Sequence, residues 1–190
     1  MPAKKVITNE MIIKKSLELL NEKGINAINA REIAKSLGCS TQPIYLSFKN
    51  MEELKEELFK ACQLVYFDYV KSSNETSLFL QYLESLAYFA YDMPNLFSYI
   101  YVERKHIETQ EEKAFAEGVI QKITEIGNIS TTAARKFYLS GFIYAYGIAT
   151  QIVSGYYRWE KNEIKELLLD AIKELNVKTL IFPTFTFSFC

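Results

Sequence analysis

The chain has 190 residues, of which 49% are hydrophobic and 24% are charged, with a net charge of −1. This composition excludes a mainly disordered protein, and the length suits one or two compact domains. The three cysteines, Cys39, Cys62 and Cys190, show neither metal-binding spacing nor a disulfide pattern. No apolar run typical of a signal peptide follows the first lysines, so we expect a cytoplasmic protein without a metal or cofactor.

The charge is unevenly distributed along the chain. Residues 1–49 contain eight basic and four acidic residues, a net charge of +4, whereas the remainder carries −5. A basic N-terminal segment followed by an acidic remainder is expected when only the N-terminal segment contacts phosphate groups, although chance can produce a charge difference of this size.

Helical periodicity dominates from the first helix onward, and the chain has only 7 glycines and 4 prolines. The first predicted helix begins near Thr8 and ends before Gly24, and the second lies between Asn29 and Gly38. Ser40 is a candidate cap for the third. In chain order, the pattern predicts helices at about 9–23, 29–37, 41–48, 51–70, 77–91, 94–105, 111–126, 132–154 and 160–175.

The second and third predicted helices form a tight corner at residues 38–40, which predicts a helix-turn-helix. Its small core would consist of Ile33, Leu37, Ile44 and Phe48. The third helix would then present its polar side chains to the major groove of DNA, while flanking basic residues reach phosphates. The DNA-binding candidates are Arg31, Ser40, Thr41, Gln42, Pro43, Tyr45, Ser47 and Lys49. A helical corner with a polar outer face, and no DNA, is the alternative.

Residues 8–59 resemble the DNA-binding domain of the TetR family of transcriptional regulators. The resemblance rests on features spread over about fifty residues: Gly24, Ile33-Ala34, Gly38, Tyr45 with Phe48, and Lys49-Asn50 leading into Glu52, Glu53 and Leu54. Two positions depart from the family pattern. Met51 replaces a lysine that meets a phosphate, and Cys39 replaces a valine, for which a packing role is expected.

The resemblance implies an all-α fold, with an N-terminal three-helix domain linked by a fourth helix to a larger helical domain. We predict a DNA-binding domain at residues 6–52, a ligand-binding and dimerisation domain at 53–176, and a tail at 177–190 whose alternating phenylalanines suggest a strand. In the family, the last two helices of each protomer form the dimer interface. The corresponding candidates are Gly141, Ala145, Ile148, Ile164, Leu167, Leu168, Ala171, Ile172 and Leu175.

Aromatic residues are concentrated after residue 50, where 25 of the 27 lie. Aromatic side chains can line an apolar ligand pocket, although for any one residue core packing is the commoner role. The pocket candidates are Tyr66, Tyr82, Phe89, Phe97, Tyr101 and Tyr144.

The predicted function is a sequence-specific, DNA-binding transcriptional regulator, a repressor by family expectation. It would be a homodimer that binds an inverted-repeat operator and responds to a small, mostly apolar effector. One alternative, motivated by Met51, is a TetR-like adaptor that acts mainly through protein partners. Another is a membrane protein, since residues 137–157 lack formal charge, but their serines, glycines and tyrosines disfavour a span. Catalysis has little support, because the lone His106 lies in a charged stretch without a nucleophile or metal-binding cluster.

Overall fold

The computed structural model describes residues 6–72, 77–104 and 109–175. Within these ranges every regular element is a helix, which confirms the all-α prediction. His106 and the strand predicted for the tail lie outside the described residues. The described residues divide into two compact units, one with residues 6–72 and 89–104, the other with 77–88 and 109–175.

The first unit is built around helix α1, which packs on the helices that follow it. Its elements are α1 (Asn9–Lys23), a 3₁₀ turn (Ile25–Ala27), α2 (Ala30–Leu37), α3 (Gln42–Ser47), α4 (Met51–Lys71) and α6 (Pro94–Tyr101), together with the last residues of α5 (Leu78–Asp92). Helix α1 contacts α2, α3, α4 and α6. Its Ile12 and Leu20 are fully buried, and so are Leu54 and Leu58 of α4. All of α4 therefore belongs to the compact unit that carries the helix-turn-helix, whereas the functional boundary expected after residue 52 stays a prediction.

The second unit contains most of α5, with α7 (Gln110–Gly127), α8 (Thr131–Ser154) and α9 (Lys161–Glu174). Helix α8 packs against α7 and α9. It also approaches α5 closely at Gly141, where an added Cβ would lie 2.5 Å from Phe79 Cζ. None of the helices in the described parts of the chain is long and apolar enough to cross a membrane.

Polar caps set most helix starts where the sequence indicated them. Backbone N–H groups donate to the side chains of Thr8, Asn29 and Asn50 at 3.3, 3.0 and 2.9 Å, which fixes the starts of α1, α2 and α4. Gly38 ends α2 with a φ of +68°, in the left-handed region that glycine adopts without strain. These ends confirm the predictions for the first, second and fourth helices to within a residue.

Two predicted details of helix ends are wrong. Thr41, not Ser40, precedes α3, and it makes no side-chain cap, since Pro43 in the first turn removes one donor that a cap would have to satisfy. Helix α6 ends at Tyr101 rather than near residue 105. The N–H groups of Val102 and Glu103 both donate to the Ser98 carbonyl at 2.8 Å, which closes the last turn.

Candidate nucleic-acid interface

The corner between α2 and α3 is held by backbone geometry and a small apolar core. Gly38 turns the chain through the left-handed region, and the N–H of Cys39 donates to the Ala34 carbonyl at 3.0 Å. Ile33 and Ile44 are 0% and 1% exposed, so both helices bury one face completely. The six-residue α3 is therefore fixed with its opposite face turned to solvent.

The predicted DNA-binding residues lie on or beside this solvent face. Arg31, Ser40, Gln42, Tyr45 and Lys49 are exposed, and Thr41, Pro43 and Ser47 are half-buried. None of the eight is buried. The side chains of Gln42 and Thr41 offer donors and acceptors for base edges, whereas Arg31 and Lys49 supply charge for phosphates.

Leu46 also belongs to this face, although it was not predicted from sequence. It is 79% exposed, more than Tyr45 at 56%. An apolar residue inside a helical pattern is ordinarily assigned to the core. The signal available in the sequence is its position, two residues after the buried Ile44, which places it on the opposite side of the helix.

The start of α4 forms the edge of the interface next to α3. The Lys49 N–H donates to the Glu53 carboxylate at 2.6 Å, and the Glu53 N–H donates to the Asn50 side chain. These bonds fix the link between α3 and α4 and leave the Lys49 side chain exposed. Met51, at the position where the family commonly has lysine, is half-buried.

Four of the six predicted pocket residues form one aromatic cluster in the first unit. The ring of Tyr66 lies 5.1 Å from Phe89 and 5.9 Å from Tyr101, and Phe97 lies 5.0 Å from Tyr101. The two other candidates belong to the second unit. There Tyr82 stacks on Tyr138 at 5.7 Å, and Tyr144 is 42% exposed.

Polar groups lie next to this cluster on α4. Gln63 is buried one turn before Tyr66, and its Nε2 has no hydrogen-bond partner within the described part of the chain. Burial raises the pKa of the neighbouring Cys62 thiol to about 12. An unpaired buried amide beside aromatic rings is an arrangement that an acceptor on a ligand would complete. Gln63 was not among the residues predicted from sequence, because only the fold shows that it is buried.

Arg104 connects α4 with the end of α6. Its guanidinium donates to the Lys55 carbonyl at 3.0 Å and lies 4.9 Å from the centre of the Phe59 ring. The Tyr99 hydroxyl donates to the same carbonyl at 2.8 Å. Burial raises the pKa of Tyr99, and the hydrogen bond from Arg104 opposes that rise.

Five of the nine residues predicted for a dimer interface are buried within the chain itself. These are Gly141, Ala145, Ile148, Ile164 and Leu168; the other four, Leu167, Ala171, Ile172 and Leu175, are half-buried. The exposed apolar face of α8 instead consists of Leu139, Ile143 and Tyr144, which are 48%, 68% and 42% exposed. Because α8 is apolar nearly all round, its sequence did not distinguish the inner face from the outer one. No group of histidine, cysteine or acidic residues within the described ranges is arranged to hold a metal ion.

A known protein family matches the part of the chain that contains the helix-turn-helix. Residues 12–62 match the family model described as bacterial regulatory proteins, tetR family. No curated protein matches the chain.

Solved structures share the fold over nearly the whole chain. A TetR variant from Acinetobacter baumannii in complex with minocycline superposes with a TM-score of 0.64 at 17% identity, over 91% of this chain and 96% of that one. A transcriptional regulator from Rhodococcus gives 0.61 at 12% identity, over 93% and 100%. NalD, the secondary repressor of the MexAB-OprM multidrug efflux pump in Pseudomonas aeruginosa, gives 0.54 at 13% identity, over 90% and 96%. Residues 12–62 therefore match the DNA-binding domain of the TetR family, and the chain shares its fold with solved regulators of that kind.

Proposed function

We propose that the chain is a sequence-specific repressor that binds an inverted-repeat operator as a homodimer and responds to a small, mostly apolar effector. The observation that carries this proposal is the accessible face of α3, with Gln42 and Tyr45 outward and Ile44 fully buried. A short helix fixed in this way can enter the major groove with its first turn nearest the base edges.

Dimerisation is supported by the exposed apolar face of α8. Ile143 and Tyr144 border a surface groove that also includes Trp159 and Leu167. Monomers seldom leave such a surface open to water, and a second copy of this chain would cover it by two-fold symmetry. A two-fold dimer also explains why the operator should be an inverted repeat.

The effector site is proposed at the aromatic cluster of Tyr66, Phe89, Phe97 and Tyr101. The rings favour a flat, apolar ligand, and the Gln63 amide would donate to an acceptor on it. A thermal-shift screen with aromatic compounds tests this site, because a bound ligand raises the melting temperature. Gln63→Leu should reduce the rise in melting temperature caused by a ligand that carries a hydrogen-bond acceptor. An unchanged rise would show that this ligand does not bind at Gln63.

The operator is tested by selecting bound sequences from a random pool of double-stranded DNA with the purified full chain at two salt concentrations. We expect an inverted repeat to be enriched, and we expect affinity to fall steeply with salt because each phosphate contact releases a counterion. Enrichment of no sequence, by protein shown to be folded, would contradict the proposal and favour the adaptor function.

Two variants assign the contacts. Gln42→Ala should weaken binding to the selected operator more than to random DNA, because it removes a base contact. Lys49→Ala should weaken both and reduce the slope of log affinity against log salt by about 2, because each protomer of the dimer loses one phosphate contact. Lys71→Ala, which removes another exposed lysine at the other end of α4, is the matched control and should change neither. Equal effects of Lys49→Ala and Lys71→Ala would remove Lys49 from the interface.

A further inference from the structure

The outermost residues of α3 are one polar and one apolar side chain. Successive residues of an α-helix are rotated by about 100°, so residues two positions from Ile44 lie almost directly opposite its buried side chain. Those residues are Gln42 and Leu46, one helical turn apart, and both are exposed. Leu46 therefore projects from the middle of the face that meets DNA in the proposed function, beside Gln42.

Leu46 cannot bind the phosphates and polar base edges that the neighbouring polar side chains can bind. A leucine side chain neither donates nor accepts a hydrogen bond, so it has no favourable contact with a phosphate or a polar base edge. In the major groove, the apolar group that base pairs present is the C5-methyl group of thymine. At 79% exposure, Leu46 has almost its entire side chain free to cover such a methyl group.

The basic residues that precede and follow α3 favour a DNA duplex as the partner of Leu46. Leu46 borders a surface groove lined by ten residues that include Ser40, Gln42 and Ser47, and none of the ten carries a charge. Two exposed cations lie before and after α3 in the chain, Arg31 on α2 and Lys49 in the link to α4. Leu46 shares this groove with Val6 and Ile7, and the two exposed cations that precede and follow α3 in the chain favour a duplex, whose thymine methyl groups lie between two phosphate backbones.

We propose that Leu46 contacts the 5-methyl group of a thymine in each half-site, next to the base whose edge Gln42 binds, and so determines part of the operator sequence. The proposal rests on the proposed function, since it requires α3 to lie in the major groove.

The test replaces thymines of the selected operator by deoxyuridine, one symmetric pair at a time, and measures affinity at constant salt by fluorescence anisotropy. Deoxyuridine keeps every hydrogen-bonding group of thymine and lacks the methyl group alone. At one thymine pair, we expect affinity for the unmodified chain to fall about fourfold per half-site, the factor that corresponds to exposing one buried methyl-sized group. Leu46→Ala should bind the thymine operator correspondingly less tightly and show no further loss with deoxyuridine at that pair.

Two further variants test whether the sensitivity to deoxyuridine depends on Leu46 in particular. Leu64→Ala removes a leucine that is 65% exposed on α4, and it should retain full sensitivity to deoxyuridine. Tyr45→Ala identifies the alternative contact on the same helix. Loss of the sensitivity in Tyr45→Ala, with its retention in Leu46→Ala, would overturn the proposal, as would an operator in which no thymine methyl group affects binding. Failure to select any operator would instead contradict the proposed function itself, and the proposal with it.

Discussion

Replacing Gly141 by alanine tests how tightly α8 packs against α5 inside the second unit. An alanine Cβ at this position would lie 2.5 Å from Phe79 Cζ and 3.1 Å from Leu83 Cδ1. The Phe79 ring is 7% exposed and lies 5.1 Å from the Phe137 ring, so it has little room to turn aside. The substitution therefore forces extra volume into a packed contact.

The size of the effect follows from two opposing contributions. Exchanging glycine for alanine inside a helix stabilises it by about 1 kcal/mol. Overpacking of a core contact costs about 1–3 kcal/mol. Gly118 of α7 supplies the matched control, because it is an exposed helical glycine whose added Cβ would meet nothing within 4 Å. We therefore expect Gly118→Ala to raise the free energy of unfolding by about 1 kcal/mol, and Gly141→Ala to fall about 1–3 kcal/mol below it.

Urea unfolding at one protein concentration, followed by circular dichroism, measures both variants. The difference between them should equal the steric cost, since the change in helix propensity is common to both. In thermal unfolding the same difference corresponds to about 2–4 °C per kcal/mol for a chain of this size. Equal stabilisation by the two alanines would refute the tight contact between α5 and α8, and would return Gly141 to the candidates for a dimer surface.

Three further predictions concern the first unit. Asn50→Ala should lower the free energy of unfolding by about 1 kcal/mol because it removes the cap of α4, and Asn50→Ser should restore most of the loss in the same thermal melts. Arg104→Met should destabilise the chain by about 1–2 kcal/mol through loss of the bond to the Lys55 carbonyl and of the contact with the Phe59 ring; a variant as stable as the parent would show that this bridge is not formed in solution. With its pKa raised to about 12, the Cys62 thiol should be thiolate in only roughly one molecule in ten thousand at pH 8. In a Cys190→Ser background, a thiol reagent should therefore label the half-buried Cys39 first and Cys62 only after denaturant is added, whereas equal rates would contradict the burial of Cys62.

The helix-turn-helix was predictable because its determinants are local. Asn29 accepts from the Glu32 N–H three residues later, and Gly38 takes a backbone conformation that glycine adopts without strain. Both interactions span a few residues, so the sequence specifies them without the rest of the fold. The alternation of buried and exposed positions on α2 likewise follows from helical period alone. The same period places Leu46 opposite Ile44, but an apolar residue inside a helical pattern is ordinarily assigned to the core, so its exposure was not predicted.

For the larger helices, local sequence patterns do not predict which face is buried. Along α8, Gly141 and Ala145 are buried, whereas Ile143 and Tyr144 are exposed, although all four suit either an inner or an outer face. Which face turns inward depends on the helices that pack against it. The same holds for the aromatic residues, four of which meet in the first unit while Tyr82 belongs to a stack in the second.

The sequence by itself determined the class of fold and the helix-turn-helix, because caps, glycine turns and helical periodicity act between residues close together along the chain. The tertiary structure alone decided which apolar side chains are buried, which aromatic rings meet, and that the Gln63 Nε2 is buried with no partner among the described residues. These properties arise from contacts between segments distant in sequence. A hydrophobic side chain carries no local signal of the surface on which it will be buried.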